Sequence, residues 1–191
     1  MQNLAKLTLI TGGARSGKSF LAETMAQKSE LPVVYFATMG KIASDAEVVE
    51  RIEMHVERRS PDWQTIEEPL LLAKAIKKLV VSAPRTLCLI DCLSLFVSNL
   101  LLSIPYTIES SGVRKELEEN ILSEVDDLLA AISEREDLNF IVVTNEVGSG
   151  IVPDNNLARS YRDLLGVANQ KFAARADQVF VAISGLGLQL K

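Results

Sequence analysis

An α/β fold, a mostly parallel sheet with helices on both faces, is what this sequence predicts, and three observations predict it. Short, nearly all-apolar runs alternate with segments of helical spacing, the pattern of strands covered on both faces. The first of those runs ends directly in a glycine-rich loop that opens a helix. The chain has 191 residues and no linker, internal repeat or low-complexity tract, so residues 1–191 read as a single domain.

Taken in order, Leu7–Thr11 (LTLIT) is a buried strand and Ser19–Lys28 a helix. Pro32–Thr38 (PVVYFAT) is a second strand, rich in β-branched and aromatic residues. Asp45–Arg59 has helical spacing, with Pro61 just past its end. Pro69–Ser82 is a further helix with Pro69 in its first turn. Thr86–Asp91 (TLCLID) is a third strand, and Leu93–Leu102 reads as a buried helix. Ser103–Gly112, which holds Pro105, is a loop. Val113–Arg135 is a long amphipathic helix, and Asn139–Thr144 (NFIVVT) a fourth strand. A glycine-rich loop, Asn145–Pro153, leads to a helix over Leu157–Ala176 and a fifth strand, Val179–Ser184 (VFVAIS).

Composition narrows the function. Twenty Lys+Arg against 25 Asp+Glu give a net charge of -5, which argues against a protein that coats nucleic acid or an anionic membrane. Phosphate binding must then come from a local site. Two cysteines, Cys88 and Cys92, make no disulfide framework, so a reduced, cytoplasmic setting is expected. One histidine and two cysteines also argue against a structural zinc site. The opening MQNLAKLTLI runs too soon into the glycine loop for a signal peptide. No apolar stretch approaches the ~18–20 residues of a membrane span.

Gly12-Gly13-Ala14-Arg15-Ser16-Gly17-Lys18-Ser19 fits G-x-x-x-x-G-K-[ST] at every fixed position, between a strand and a helix. This makes the fold a P-loop NTPase type and the chain a nucleotide-binding catalytic domain. Glycines let backbone N–H groups turn inward around phosphate oxygens, and the helix start adds its partial positive charge. Lys18 is placed to reach the β- and γ-phosphates, and the Ser19 hydroxyl to coordinate Mg²⁺. The metal-side carboxylate is expected at the end of a second apolar strand, and Asp91 is the residue there. Its role is either at the Mg²⁺ or as a base. Cys88 beside it reads as core.

In the segment from Glu47 to Arg59, Val48, Val49, Ile52 and Val56 share one helical face. Arg51, His55, Arg58 and Arg59 form a stripe beside it, while Glu50, Glu53 and Glu57 lie on the other side. Such sorting suits a polyphosphate, because guanidinium groups hold phosphate oxygens in bidentate fashion. Cations around a histidine disfavour its protonated form and leave a neutral imidazole as a nucleophile. The residues by themselves leave two readings of His55 open: an ordinary packing histidine, or that nucleophile.

Several blocks together narrow the choice. TGGARSGKS (Thr11–Ser19) is followed by YFAT (Tyr35–Thr38) and RIEMH (Arg51–His55), then Arg59, Trp63, Glu67 and Pro69. DCLSLFVSNLL (Asp91–Leu101) and TNEVGSGIVP (Thr144–Pro153) come next, then Arg159, Tyr161-Arg162-Asp163, Gly166, Asn169-Gln170 and a closing SGLGLQLK (Ser184–Lys191). Over nearly its whole length the chain resembles the bifunctional adenosylcobinamide kinase / adenosylcobinamide-phosphate guanylyltransferase family. The resemblance implies phosphorylation of adenosylcobinamide by ATP or GTP. It then implies transfer of GMP from GTP to adenosylcobinamide phosphate, which releases pyrophosphate and gives adenosylcobinamide-GDP. It implies that His55 carries the guanylyl group between the two. It further implies nucleotide contacts from Ala37, Thr38, Arg58, Arg59, Glu67 and Asp91, a closing C-terminal strand and a homotrimer. Departures from the family pattern are Val56, Ser60, Tyr161 and Gly187, none in the phosphate loop or at the nucleophile.

The rival readings are a monofunctional small-molecule P-loop kinase and a nucleotide-dependent switch or motor. For the latter, a guanine-reading N-K-x-D motif is absent: Thr144-Asn145-Glu146-Val147 lacks the lysine and the aspartate. The loop Asn145–Pro153 has two readings: Gly148 and Gly150 simply serve turn geometry, or Asn145 and Glu146, at a strand's C-terminal end, line a site. Arg159 and Arg162, three apart on a helix, suit either a neighbouring subunit or a phosphate.

Overall fold

The computed structural model describes residues 5–39, 59–83, 85–103 and 111–191. In chain order the elements are β1 (Leu7–Gly12), α1 (Lys18–Lys28), β2 (Val33–Ala37), β3 (Gln64–Glu67), α2 (Leu72–Lys78), β4 (Thr86–Asp91), α3 (Leu93–Leu102), α4 (Ser111–Glu134), β5 (Leu138–Val143), α5 (Asn156–Arg175), β6 (Gln178–Ile183) and β7 (Leu186–Gln189). The strands form one seven-stranded sheet in the order β3-β2-β4-β5-β1-β6-β7. Every neighbouring pair is parallel except β6 and β7, which are antiparallel.

Strands β1, β2, β4 and β5 are apolar at nearly every position because both sheet faces are covered. Alternate residues part company. Leu9, Phe36, Ile90, Phe140 and Val142 pack under α2, α3, α4 and α5. Ile10, Tyr35, Leu89, Ile141 and Val143 pack under α1 on the other face. The long helix α4 presents Ile121, Val125, Leu128 and Ile132 to the first of these cores, an i, i+4, i+7, i+11 spacing.

The structure differs from the sequence reading in two places. The helix expected over Pro69–Ser82 is the shorter α2. The Glu68 carboxylate accepts from the N–H groups of Leu70 (3.0 Å) and Leu71 (2.8 Å), which fixes a turn ahead of the helix. At the other end Leu79 turns extended (φ -62, ψ 123), ahead of the β-branched Val80 and Val81. The second difference is β3, an edge strand paired in parallel with β2 that the sequence reading does not anticipate. The helix expected over Asp45–Arg59 lies, up to residue 58, outside the described residues.

Candidate active site

The chemistry gathers at the C-terminal ends of the strands, where open α/β sheets bind their ligands. Strand β1 delivers the phosphate loop there, and Gly17 is the N-cap of α1 in a left-handed conformation (φ 91, ψ 6). A side chain at Gly12 would sit 2.6 Å from the carbonyl oxygen of Ala182, so β6 approaches too closely for any other residue. Lys18 lies over its own loop, its Nζ donating to the Gly13 carbonyl (3.1 Å). Burial lowers the Lys18 pKa, opposed by the nearby Cys92 and Asp91. The C-terminal hairpin braces the loop, as the Gly185 N–H donates to the Ser16 carbonyl (2.9 Å).

Strand register then collects residues far apart in sequence. Ala37 pairs with Glu67 and with Asp91, Asp91 pairs with Val143, and Val143 pairs with Ile10. Glu67, Ala37 and Asp91 thus stand in one row across the sheet, level with Ile10 just before the phosphate loop. Strand β5 separates β4 from β1, so Asp91 and the loop face each other across one intervening strand. The Asp91 carboxylate is oriented from below: Oδ2 accepts from the Tyr35 hydroxyl at 2.9 Å. Burial and then the Asp91 charge push the Tyr35 pKa far up, so the phenol stays protonated and donates. The Arg59 guanidinium lies 3.8 Å from the Tyr35 ring centroid. Thr38 is fully buried, its hydroxyl donating to the Cys92 carbonyl (2.9 Å) and accepting from the Cys92 N–H (2.7 Å). That side chain locks β2 to the end of β4, and the Thr38 N–H adds a bond to the Asp91 carbonyl (3.3 Å).

A strand row ending at a phosphate loop, with a carboxylate one strand away, is shared by many nucleotide enzymes, and comparison with known proteins decides among them. The family model for cobinamide kinase / cobinamide phosphate guanyltransferase matches residues 8–190. The chain belongs to this family. It is 37% identical over 186 residues to the bifunctional adenosylcobalamin biosynthesis protein CobU of Escherichia coli (strain K12), covering 97% of this chain and 99% of that one. It is 41% identical over 184 residues to the bifunctional adenosylcobalamin biosynthesis protein CobP of Pseudomonas aeruginosa, covering 96% of each. Among solved structures, a prototypical ATPase from a bacterial type III secretion system superposes with a TM-score of 0.61 at 13% identity, over 97% of this chain and 58% of that one. That likeness shows the fold, a P-loop NTPase type. The family makes the chain a kinase and nucleotidyltransferase of the bifunctional kind, so the monofunctional-kinase reading falls away.

The other family blocks take up supporting positions. Asn169 on α5 accepts from the Thr144 hydroxyl (2.7 Å) and donates through Nδ2 to the Asn145 carbonyl (2.9 Å). It thereby fixes the chain leaving β5 between the phosphate loop and Asp91. Asn99 does the same for the end of β2, donating to the carbonyls of Thr38 (2.7 Å) and Pro69 (3.1 Å). Neither amide is a candidate in the sequence reading. For Asn99 the readable signal was a lone amide inside an apolar helix. Glu146 is exposed, its Oε1 accepting from the Gly148 N–H (2.6 Å). Arg159 donates to the carbonyls of Pro153 and Asp154 (both 2.7 Å) and to Asn156, closing its own loop, while Arg162 pairs with Asp163 (3.0 Å). His55, Arg51 and Arg58 lie outside the described residues.

The donors around the loop fit a Mg²⁺-bound triphosphate. Among the described residues, Thr11 Oγ1, Ser16 Oγ and Asn145 Oδ1 are buried without a hydrogen-bond partner. Buried oxygens of this kind await a ligand or water. Ser19 lies in the first turn of α1 and Asp91 ends β4, a hydroxyl and a carboxylate. Mg²⁺ takes few protein oxygens and completes its shell with phosphates and water. Among the described residues, no group of three His, Cys, Asp or Glu is placed to hold a metal.

Proposed function

We propose that this strand-end row and phosphate loop form one active site for two successive transfers. In the first, the γ-phosphate of ATP or GTP lies in the loop Gly12–Ser19. The aminopropanol hydroxyl of adenosylcobinamide attacks it, the bond to the β-phosphate oxygen breaks, and the nucleoside diphosphate leaves. Lys18 and the loop N–H groups hold the transferred charge, so most of the acceleration is positioning and electrostatic. Ser19 and Asp91 would hold Mg²⁺, which would supply neutralisation of the charge that develops as the diphosphate leaves.

In the second transfer, a ring nitrogen of His55 attacks the α-phosphorus of GTP, and pyrophosphate leaves against Lys18, Arg58 and Arg59. The phosphate of adenosylcobinamide phosphate then attacks the guanylyl-histidine, restoring the imidazole and giving adenosylcobinamide-GDP. Two displacements replace one difficult reaction between anions. Ala37, Thr38 and Glu67 border the nucleotide at the end of β2 and β3. The observation that carries this reading is the register that aligns Glu67, Ala37 and Asp91 with the strand entering the loop.

The working unit in this reading is a homo-oligomer, a homotrimer, in the cytoplasm. Edge strand β7 supports it. Ile183, Leu186 and Leu188 share one face of the β6–β7 hairpin and are 60%, 77% and 60% exposed. For the compartment, Cys88 and Cys92 are both free thiols. The test of the reading is incubation with α-³²P GTP and Mg²⁺, then denaturation. Label is expected on the wild-type chain and not on His55→Ala. Label retained by that variant overturns the histidine's role.

A further inference from the structure

Tyr35 sits in the middle of β2 and is 1% exposed, so by position alone it is a core aromatic. Its neighbours are of another kind. Its hydroxyl donates to Asp91 Oδ2 at 2.9 Å, and the Arg59 guanidinium lies 3.8 Å above its ring. The ring of Trp63 lies nearly parallel to it, with centroids 6.4 Å apart and an angle of 21°. A phenylalanine would fill the same volume, and the one thing it would lack is the bond to Asp91.

We infer that Tyr35 is a positioning residue for both groups at once: its hydroxyl fixes the Asp91 carboxylate through Oδ2, and its ring seats the Arg59 guanidinium. This rests on the reading above, in which Asp91 and Arg59 serve the nucleotide. A carboxylate turns readily about its last bond, because that torsion has broad wells. A donor from a buried phenol selects one orientation and leaves Oδ1 for the ligand side. Arg59 needs a seat for a different reason. Among the described residues its Nε is buried without a hydrogen-bond partner, and the Tyr35 face is the contact its guanidinium makes there. A planar guanidinium stacked on a ring keeps its edge donors for phosphate oxygens. One side chain thus ties a residue of the strand-end row to an arginine that enters from the segment ahead of β3.

Two substitutions separate the functions of the hydroxyl and the ring. Tyr35→Phe removes the bond to Asp91 and keeps the ring; Tyr35→Leu removes both. Trp63 is the one tryptophan of the chain and lies against Tyr35, so its emission follows GTP binding at this place directly. Tyr35→Phe is expected to bind GTP within about 2-fold of wild type but to transfer the γ-phosphate roughly 10-fold more slowly, a charge-assisted bond's worth. Tyr35→Leu is expected to weaken GTP binding by a further factor of about 5, in the range of a cation–π contact. In an Asp91→Asn background Tyr35→Phe adds less than about 2-fold, because coupled residues are not additive. Urea unfolding of each variant shows whether it is folded, and if Tyr35→Leu is not, the pair with and without Asp91→Asn decides. The inference is overturned if Tyr35→Phe matches wild type in both constants, or if the two variants lower both constants equally, as simple packing would. A wild-type chain that binds GTP but does not phosphorylate adenosylcobinamide sinks the functional reading instead. The difference in GTP binding between the two variants then still decides whether the ring seats Arg59.

Discussion

The three glycines of the phosphate loop should differ sharply when each is changed to alanine, and the structure ranks them. At Gly17 the backbone is left-handed (φ 91), which costs an L-residue about 1–2 kcal/mol. The new Cβ would also lie 3.0 Å from the Cα of Gly185, a backbone atom of the turn after β6. Together these give about 2–3 kcal/mol, or a fall in Tm of about 4–12 °C for a chain of this size. At Gly12 the Cβ would lie 2.6 Å from the Ala182 carbonyl oxygen and 2.6 Å from Ser16 Oγ. The hydroxyl can rotate away. The carbonyl belongs to β6, paired with β1 at this very position, and cannot retreat without opening the sheet. Gly12→Ala is therefore the costliest, at about 3 kcal/mol or more. At Gly13 an added Cβ would meet nothing within 4 Å, so Gly13→Ala should stay within about 0.5 kcal/mol of wild type. Urea unfolding followed by circular dichroism, without nucleotide, measures all three. If Gly13→Ala is as unstable as Gly17→Ala, or Gly12→Ala is as stable as wild type, the account of why these positions are glycine is wrong.

Three further outcomes are expected. Asn169→Ala removes both bonds that hold Thr144 and Asn145, so it should cost about 1–3 kcal/mol in urea unfolding and lower turnover more than GTP affinity; unchanged turnover would separate that loop from catalysis. Asp137 has its pKa held down, first by the Arg135 hydrogen bond at 2.7–2.8 Å. The stability it contributes is complete above its unfolded value near ~3.9 and is lost as pH falls through the depressed native value, so wild type should lose its advantage over Asp137→Asn between about pH 5 and 2 in urea midpoints. Burial raises the Cys92 thiol to about 11 and the Cys88 thiol to about 12, so a thiol-specific reagent at pH 8 should find neither in the native protein and both in denaturant. Rapid native labelling would contradict their burial.

The sheet was legible wherever both faces of a strand are buried, since β1, β2, β4 and β5 then read as continuous apolar runs and the structure moves their ends by a residue or so. Strand β3 escaped because only Ile66 of Gln64–Glu67 packs against the core; its pairing with β2 is a tertiary fact with little local signature. Pro69–Ser82 was read too long because Glu68 commits its side chain to the turn, a competition that periodicity does not register. In the site, the loop and Asp91 were legible from spacing and from position at a strand end. Asn169 and Tyr35 were not. Their work is done across 24–25 and 56 residues of sequence, and in isolation one looks like a helix-surface amide and the other like core.

The row of residues also bears on how one cradle can serve two reactions. Phosphoryl transfer breaks the triphosphate at its γ end and guanylyl transfer at its α end, so the attacked atoms are two phosphates apart. A sheet edge accommodates this better than a single catalytic cluster would. On the proposed reading the loop and Lys18 grip the chain of phosphates from β1, while Asp91, Ala37 and Glu67 follow one another outward through β4, β2 and β3 along one register level. In sequence His55 falls between β2 and β3, and β3 stands at the outer end of the row. On the proposed reading the two transfers share one site, because the phosphate loop, Asp91, Ala37 and Glu67 lie along a single register level of one sheet.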